Sequence, residues 1–173
     1  MTSATLFVST TRECLSEGMR KIEHCISQLS DDQLWWRPTS DMNSIANLML
    51  HLSGNLRQWI LAGIGGAKDV RNRPAEFADH SHRPKADVLA KLKSVVNEAD
   101  TVLARLDEQQ LLSARRIQGY DNTVLSAAFD TIAHFRGHVQ EIIHITRQQL
   151  GENYKFDFVP QDPEQQSAAG PAV

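Results

Sequence analysis

Apolar residues recur at every third or fourth position through four long stretches of the chain, the repeat that lines one face of an α-helix. No stretch shows the alternation of a half-buried strand convincingly. In the first, roughly residues 4 to 29, Leu15, Gly18, Met19, Ile22, Ile26 and Leu29 share a face, with Arg12, Glu13, Arg20 and Lys21 mainly off it. The second is expected from Asn43 or Ser44, either an acceptable cap, to a stop at Gly63, with Ile45, Leu48, Met49, Leu52, Leu56, Trp59 and Ile60 inward. Pro84 opens the third, whose stripe of Val88, Leu89, Leu92, Val95, Val96, Ala99, Val102, Leu103 and Leu106 runs to about Asp107. Gly119 to Asn122 read as a turn, and the fourth helix runs from an Asn122 or Thr123 cap to Gly151. It is expected to bury Leu125, Phe129, Ile132, Phe135, Val139, Ile142 and Ile143. These elements make an all-α protein, a four-helix bundle. Residues 63 to 83, rich in Gly, Asn, Arg, Asp and His, read as a long exposed connection between the second and third helices, so four simple hairpins are not expected.

At 173 residues, 41% hydrophobic and 23% charged, the chain suits one domain with a real core, expected over 1 to 160. Tyr154 to Val159 reads as an extended strap, and 161 to 173 has nothing to bury and reads as a mobile tail. Trp35 and Trp36 lie in a connection that must bury at least one ring. Net charge is -3, and the basic residues are scattered apart from Arg71, Arg73 and the Arg115/Arg116 pair. A nucleic-acid footprint needs a basic stripe that displaces counterions from phosphates, and none is present. Nor does any segment approach the ~20 apolar residues that cross a bilayer. The first residues carry no basic stretch followed by an unbroken apolar one, so a cytoplasmic location is expected. Cys14 and Cys25 would sit ~16 Å apart along a straight helix, too far to bridge, and read as reduced core residues. Gly63, Gly65 and Gly66 follow a helix instead of preceding one after a strand, which excludes a phosphate loop.

His134 and His138 stand four apart on the fourth helix, which stacks two imidazoles one turn apart on one face where both can reach one ion. Seven histidines in 173 residues would give roughly a quarter of one such pair by chance, so the spacing needs context. On a helical wheel the two lie ~90 to 130° from the centre of the apolar stripe, at the core edge beside Asp130 and Glu141. His51 holds a similar edge position on the second helix, one turn from both Asn47 and Asn55. Two helices that each bring imidazole to the core boundary can converge on a cleft. The alternative, an ordinary boundary His51 and a coincidental surface pair, stays open on spacing alone. His24 lacks a partner, His144 points away from the pair, and His80 with His82 falls in a loop that would hold an ion poorly.

The segments LWWRP (34 to 38), SIANLMLHLSGNLRQWI (44 to 60) and HFRGHVQEIIHITRQQLG (134 to 151) resemble the DinB-like, YfiT-like superfamily of metal-binding four-helix proteins, in a subgroup whose function is not established. The resemblance reaches to about Pro160. Its specific part is a second-helix histidine after a WRP turn, combined with HxxxH on the last helix. It implies that His51, His134 and His138 bind one divalent ion. Some members of the superfamily are transferases or isomerases that use a low-molecular-weight thiol, and dimers are common, so the resemblance implies a homodimer and a small-molecule partner such as a low-molecular-weight thiol; the superfamily's name does not imply DNA binding.

Three imidazoles without a cysteine suit a transition metal, zinc or nickel first and iron or copper next, better than calcium or magnesium, and leave positions open for water or substrate. The sequence therefore supports a metal-dependent thiol transferase or hydrolase acting on a small molecule. A non-catalytic metal or ligand-binding module and a helical interaction protein are the alternatives. As a base, Glu141 is the first candidate, three residues after His138 and seven after His134, and Asp130 the second. Either carboxylate can instead orient a metal-bound imidazole, and that simpler role is preferred.

Overall fold

The computed structural model describes residues 1–157; the tail expected over 161–173 and the last two residues of the expected strap lie outside them. In chain order the elements are α1 (Ser3–Ser27), α2 (Asp31–Trp35), α3 (Ile45–Leu56) with a π-helical continuation (Arg57–Ile64), and α4 (Arg73–Ala78). Then come α5 (Lys85–Leu103), α6 (Glu108–Leu112), an antiparallel hairpin of β1 (Ala114–Ile117) and β2 (Tyr120–Thr123), and α7 (Val124–Leu150). α1 packs against α5 and α7, and α3 packs against the same two, so the order round the bundle is α1, α5, α3, α7. Chain neighbours α1 and α3 therefore lie across the bundle from each other, as do α5 and α7. This matches the expectation that the topology is not four simple hairpins.

Local chemistry sets the helix starts. Ser44 Oγ accepts from the Asn47 amide while the Asn47 side chain returns to the Ser44 amide, and Thr123 and Ser126 do the same at the start of α7. Each pair satisfies amides that a helix leaves unpaired at its start. Leu15, Ile22 and Ile26 of α1, Leu48, Leu52 and Leu56 of α3, Leu92 of α5 and Phe135 of α7 are fully buried. Trp35 is the buried ring of its pair, its indole N–H donating to the Arg83 carbonyl at 2.9 Å. Cys14 and Cys25 are both free, as expected.

The structure departs from the sequence reading at five places. Leu125 and Phe129 are 38% and 60% exposed. The inward stripe at the start of α7 is carried by Val124, Ala127, Ala128 and Thr131, and the Thr131 hydroxyl is satisfied by the Ala127 carbonyl. Small residues there fall on the same three-and-four repeat as the larger ones, so periodicity alone does not choose between the two faces. The second helix does not stop at Gly63. It passes into the π register, which brings Ile60, Leu61 and Ile64 to the core and leaves Gly63 flush against Ile117 of β1, and Gly65 ends it. The expected turn at 119 to 122 is the tip and second strand of the hairpin, with Gln118 and Gly119 at positive φ. The third helix ends at Leu103, short of the expected Asp107, which caps α6.

The connection of 63 to 83 is the fifth and matters most, because it carries α4 and is pinned to α3. Asn47, fully buried one turn before His51, donates to the carbonyls of Glu76 and Asp79, each at 3.0 Å. Arg37 donates to the same Asp79 carbonyl at 3.2 Å. Hydrogen bonding by a buried amide thus ties a segment with no apolar repeat to the bundle.

Gly18 lets α1 approach α7: a Cβ there would stand 2.8 Å from Phe135 Cε1 and 3.2 Å from Val139 Cγ2. Because Phe135 is fully buried, its ring has little room to retreat. Gly18→Val is therefore expected to lower stability by about 2 kcal/mol through overpacking, read as a lower urea midpoint at unchanged slope.

Candidate metal centre

α3 presents His51, which is buried, and α7 presents His134 and His138, one turn apart and half-buried. The packing of α3 against α7 brings the three rings together, with centroids 5.1, 5.1 and 4.5 Å apart and planes 81 to 90° from one another. One ring nitrogen from each lies within 4.8 Å of the others, and His51 Nε2 is 2.9 Å from His134 Nε2. Nitrogens bound at ~2.0 to 2.1 Å to a single ion stand about 2.9 Å apart at a right angle and about 3.4 Å at the tetrahedral angle, so this closest pair already has ligand spacing. His24 is held by Gln28 and the Lys155 carbonyl, His82 stacks on Trp35, and His80 and His144 are exposed.

The far side of His51 is built by the connection. Glu76 of α4 accepts from His51 Nδ1 at 3.0 Å, and Arg71 grips the same carboxylate with Nε and Nη2 at 2.8 and 2.9 Å. Arg71 Nη2 is also 3.1 Å from His51 Nδ1. That nitrogen cannot accept from Arg71 while donating to Glu76, and the carboxylate is the stronger partner, so the proton sits on Nδ1 and the Nε2 lone pair faces His134 and His138. The Arg71 and Glu76 side chains are only 4% and 10% exposed. Burial pushes the Glu76 carboxyl up, but hydrogen bonds from Arg71 and His51 and the charges beside it outweigh this and hold it below the usual carboxylate range.

On α7, Glu141 accepts from His138 Nδ1 at 2.7 Å, which turns that ring's Nε2 lone pair free in the same way. Asp130 lies at the rim of a cleft that His134 and His51 share with Trp59 and Arg73. His134 is pushed down to about 4, first by burial and then by the charges of His138, His51, Arg71 and Arg73, so it is neutral and able to donate its lone pair at pH 7. Three imidazoles, two of them with a carboxylate on the distal nitrogen, fit a divalent transition-metal ion.

The sequence reading missed Glu76, Arg71 and Gly54. Gly54 is the signal that was there: it stands three residues after His51 inside a helix, where glycine is costly without a reason. The reason is space, since a Cβ on Gly54 would overlap Glu76 Oε1 and stand 3.1 Å from Arg71 Nε. Gly54→Ala is expected to expel the Glu76 carboxylate, weakening divalent-ion binding about 10- to 100-fold by calorimetry while far-UV circular dichroism keeps the helical signal.

A second expectation concerns pH. The ordinary histidine value is 6.5 and the folded value of His134 is about 4, so the unfolded chain takes up this proton first as pH falls. The stability associated with a neutral His134 is fully present above pH 6.5 and is lost as pH falls toward 4. Urea denaturation of chelator-treated protein between pH 7.5 and pH 5 should show a larger loss for the native sequence than for His134→Gln.

A search of curated proteins finds no match. Solved structures share the fold, two of them over most of both chains. One is a conserved protein from Enterococcus faecalis, with TM-score 0.71 and 17% identity over 87% of this chain and 99% of that one. The other is described as a DinB-like protein from Bacillus subtilis, with TM-score 0.64 and 15% identity over 85% of this chain and 96% of that one. A family model described as "Protein of unknown function (DUF1572)" matches residues 2–163. The chain therefore belongs to the DUF1572 family and has the DinB-like helical-bundle fold.

Proposed function

We propose that this protein is a divalent-metal-dependent enzyme that acts on a small molecule, with His51, His134 and His138 as ligands. The observation that carries this reading is the convergence of three imidazoles from α3 and α7, two of them oriented by a carboxylate. An all-histidine set favours zinc or nickel, with iron next, and three protein donors leave positions for exchange. A bound divalent ion, its charge not offset by histidine ligands, would acidify a water or thiol toward neutral pH.

The chain's own residues divide the remaining work. Glu76 and Arg71 hold His51 in one tautomer, and Glu141 holds His138. His134 stays unprotonated because its neighbours and its burial oppose a further charge. Glu141, half-exposed, is the residue we assign as proton acceptor, with Asp130 second. The reaction class, thiol transfer or hydrolysis, rests on the resemblance to the superfamily and on the open donor set. A non-catalytic binding module is the second reading, favoured by the 2.7 Å hydrogen bond that commits Glu141 to His138.

Elemental analysis of purified protein is expected to give about one transition-metal ion per chain, and His51→Ala or His134→Ala to lose it with little change in helicity. Full metal content in the triple alanine variant would overturn the ligand set. Metal-loaded protein is expected to turn over at least one substrate in a panel of thiols, electrophiles and esters, and His138→Ala to be inactive on it. No activity above that variant would favour the binding module, and full activity in Glu141→Gln would remove only the assigned base.

A further inference from the structure

Beside the histidines lies a cleft of about 280 Å³, walled by His51, Trp59, Arg73, Asp130, Thr131 and His134. Its size is at the small end of ligand pockets, that of a minor metabolite and not of a polymer or a long chain. Its charges are unevenly compensated. Histidine ligands, unlike thiolates or carboxylates, add no negative charge to a divalent ion. Arg71, also on the wall, is neutralised by its two bonds to Glu76. Arg73 is different: among the described residues it makes no ion pair and no side-chain hydrogen bond, and its guanidinium lies 5.0 Å from the Phe77 ring centroid, which steadies it without neutralising it. Asp130, on the α7 side, disfavours an anion next to itself and so confines one to the α4 side, where Arg73 is.

We propose that this cleft binds a small molecule bearing an anionic group such as a carboxylate, recognised by Arg73, while a second donor of the same molecule reaches the histidine-bound ion. Trp59 gives the same wall an apolar surface. The inference rests on the metal-binding reading above and adds the chemical class of the ligand and the residue that selects it. The guanidinium presents paired N–H donors to a carboxylate, which a neutral amide of the same shape cannot match.

The test uses full-length protein loaded with cobalt, its metal content measured first, and two probes. One is the monohydroxamate of succinic acid and the other its neutral amide counterpart, both followed by visible absorption and calorimetry. The acid is expected to bind about 10-fold more tightly than the amide at low ionic strength, with the margin shrinking as salt is added. Arg73→Gln is expected to erase the margin while leaving metal content and affinity for the amide unchanged, and Arg73→Lys to restore part of it. Equal affinities for the two probes in the native protein, or an undiminished margin in Arg73→Gln, would overturn the proposal. If cobalt does not load, the metal reading falls and this inference with it; if it loads and shows no preference for the acid, only this inference falls.

Discussion

Glu76 is carried by a surface connection yet is shut away from water, and a carboxylate in that position has to be compensated on every side. Arg71 supplies the charge and two donors, and His51 supplies a third. That arrangement fixes which nitrogen of His51 carries the proton, and it holds α4 over α3 with the help of Asn47. It also explains Gly54, because the carboxylate occupies the space of the missing side chain. Removing any one member leaves a buried polar group without its partner, so these residues behave as a unit.

The three histidines inherit their placement from packed helix faces. His51 sits among fully buried leucines, and His134 and His138 stand beside Phe135 and Val139 on a helix with one face buried along its length. Side chains on such elements are held to narrower geometry than side chains on loops. The carboxylates divide differently: Glu141 lies on the same helix as its histidine, three residues on, whereas Glu76 comes from a separate segment that only folding delivers. His51 is thus the imidazole most dependent on tertiary structure for its orientation.

Much of the site was readable in the chain because helical spacing is a local property. His134 and His138 share a face by virtue of standing four apart, and Glu141 reaches His138 by standing three beyond it. Resemblance to a known superfamily added His51, whose edge position on its own helix had an equally good ordinary explanation. Glu76 escaped because it is 25 residues from His51, in a stretch rich in glycine and charge with no apolar repeat to mark it as packed. Phe129 was misplaced for the opposite reason, since an apolar repeat was present on two adjacent faces and the small residues Ala127 and Ala128 took the inner one.

By itself the sequence determined the four long helices, their main buried faces, most of their caps and the pairing of two histidines on one of them. Each of these follows from residues a few positions apart, where backbone geometry sets the distance. Only the tertiary structure decided the order of helices round the bundle, the meeting of His51 with the α7 pair, and the capture of Glu76 and Arg71 beneath them. Those depend on contacts between residues far apart in the chain, whose closeness comes from how helix surfaces fill space and how buried charges find partners. No local pattern encodes either.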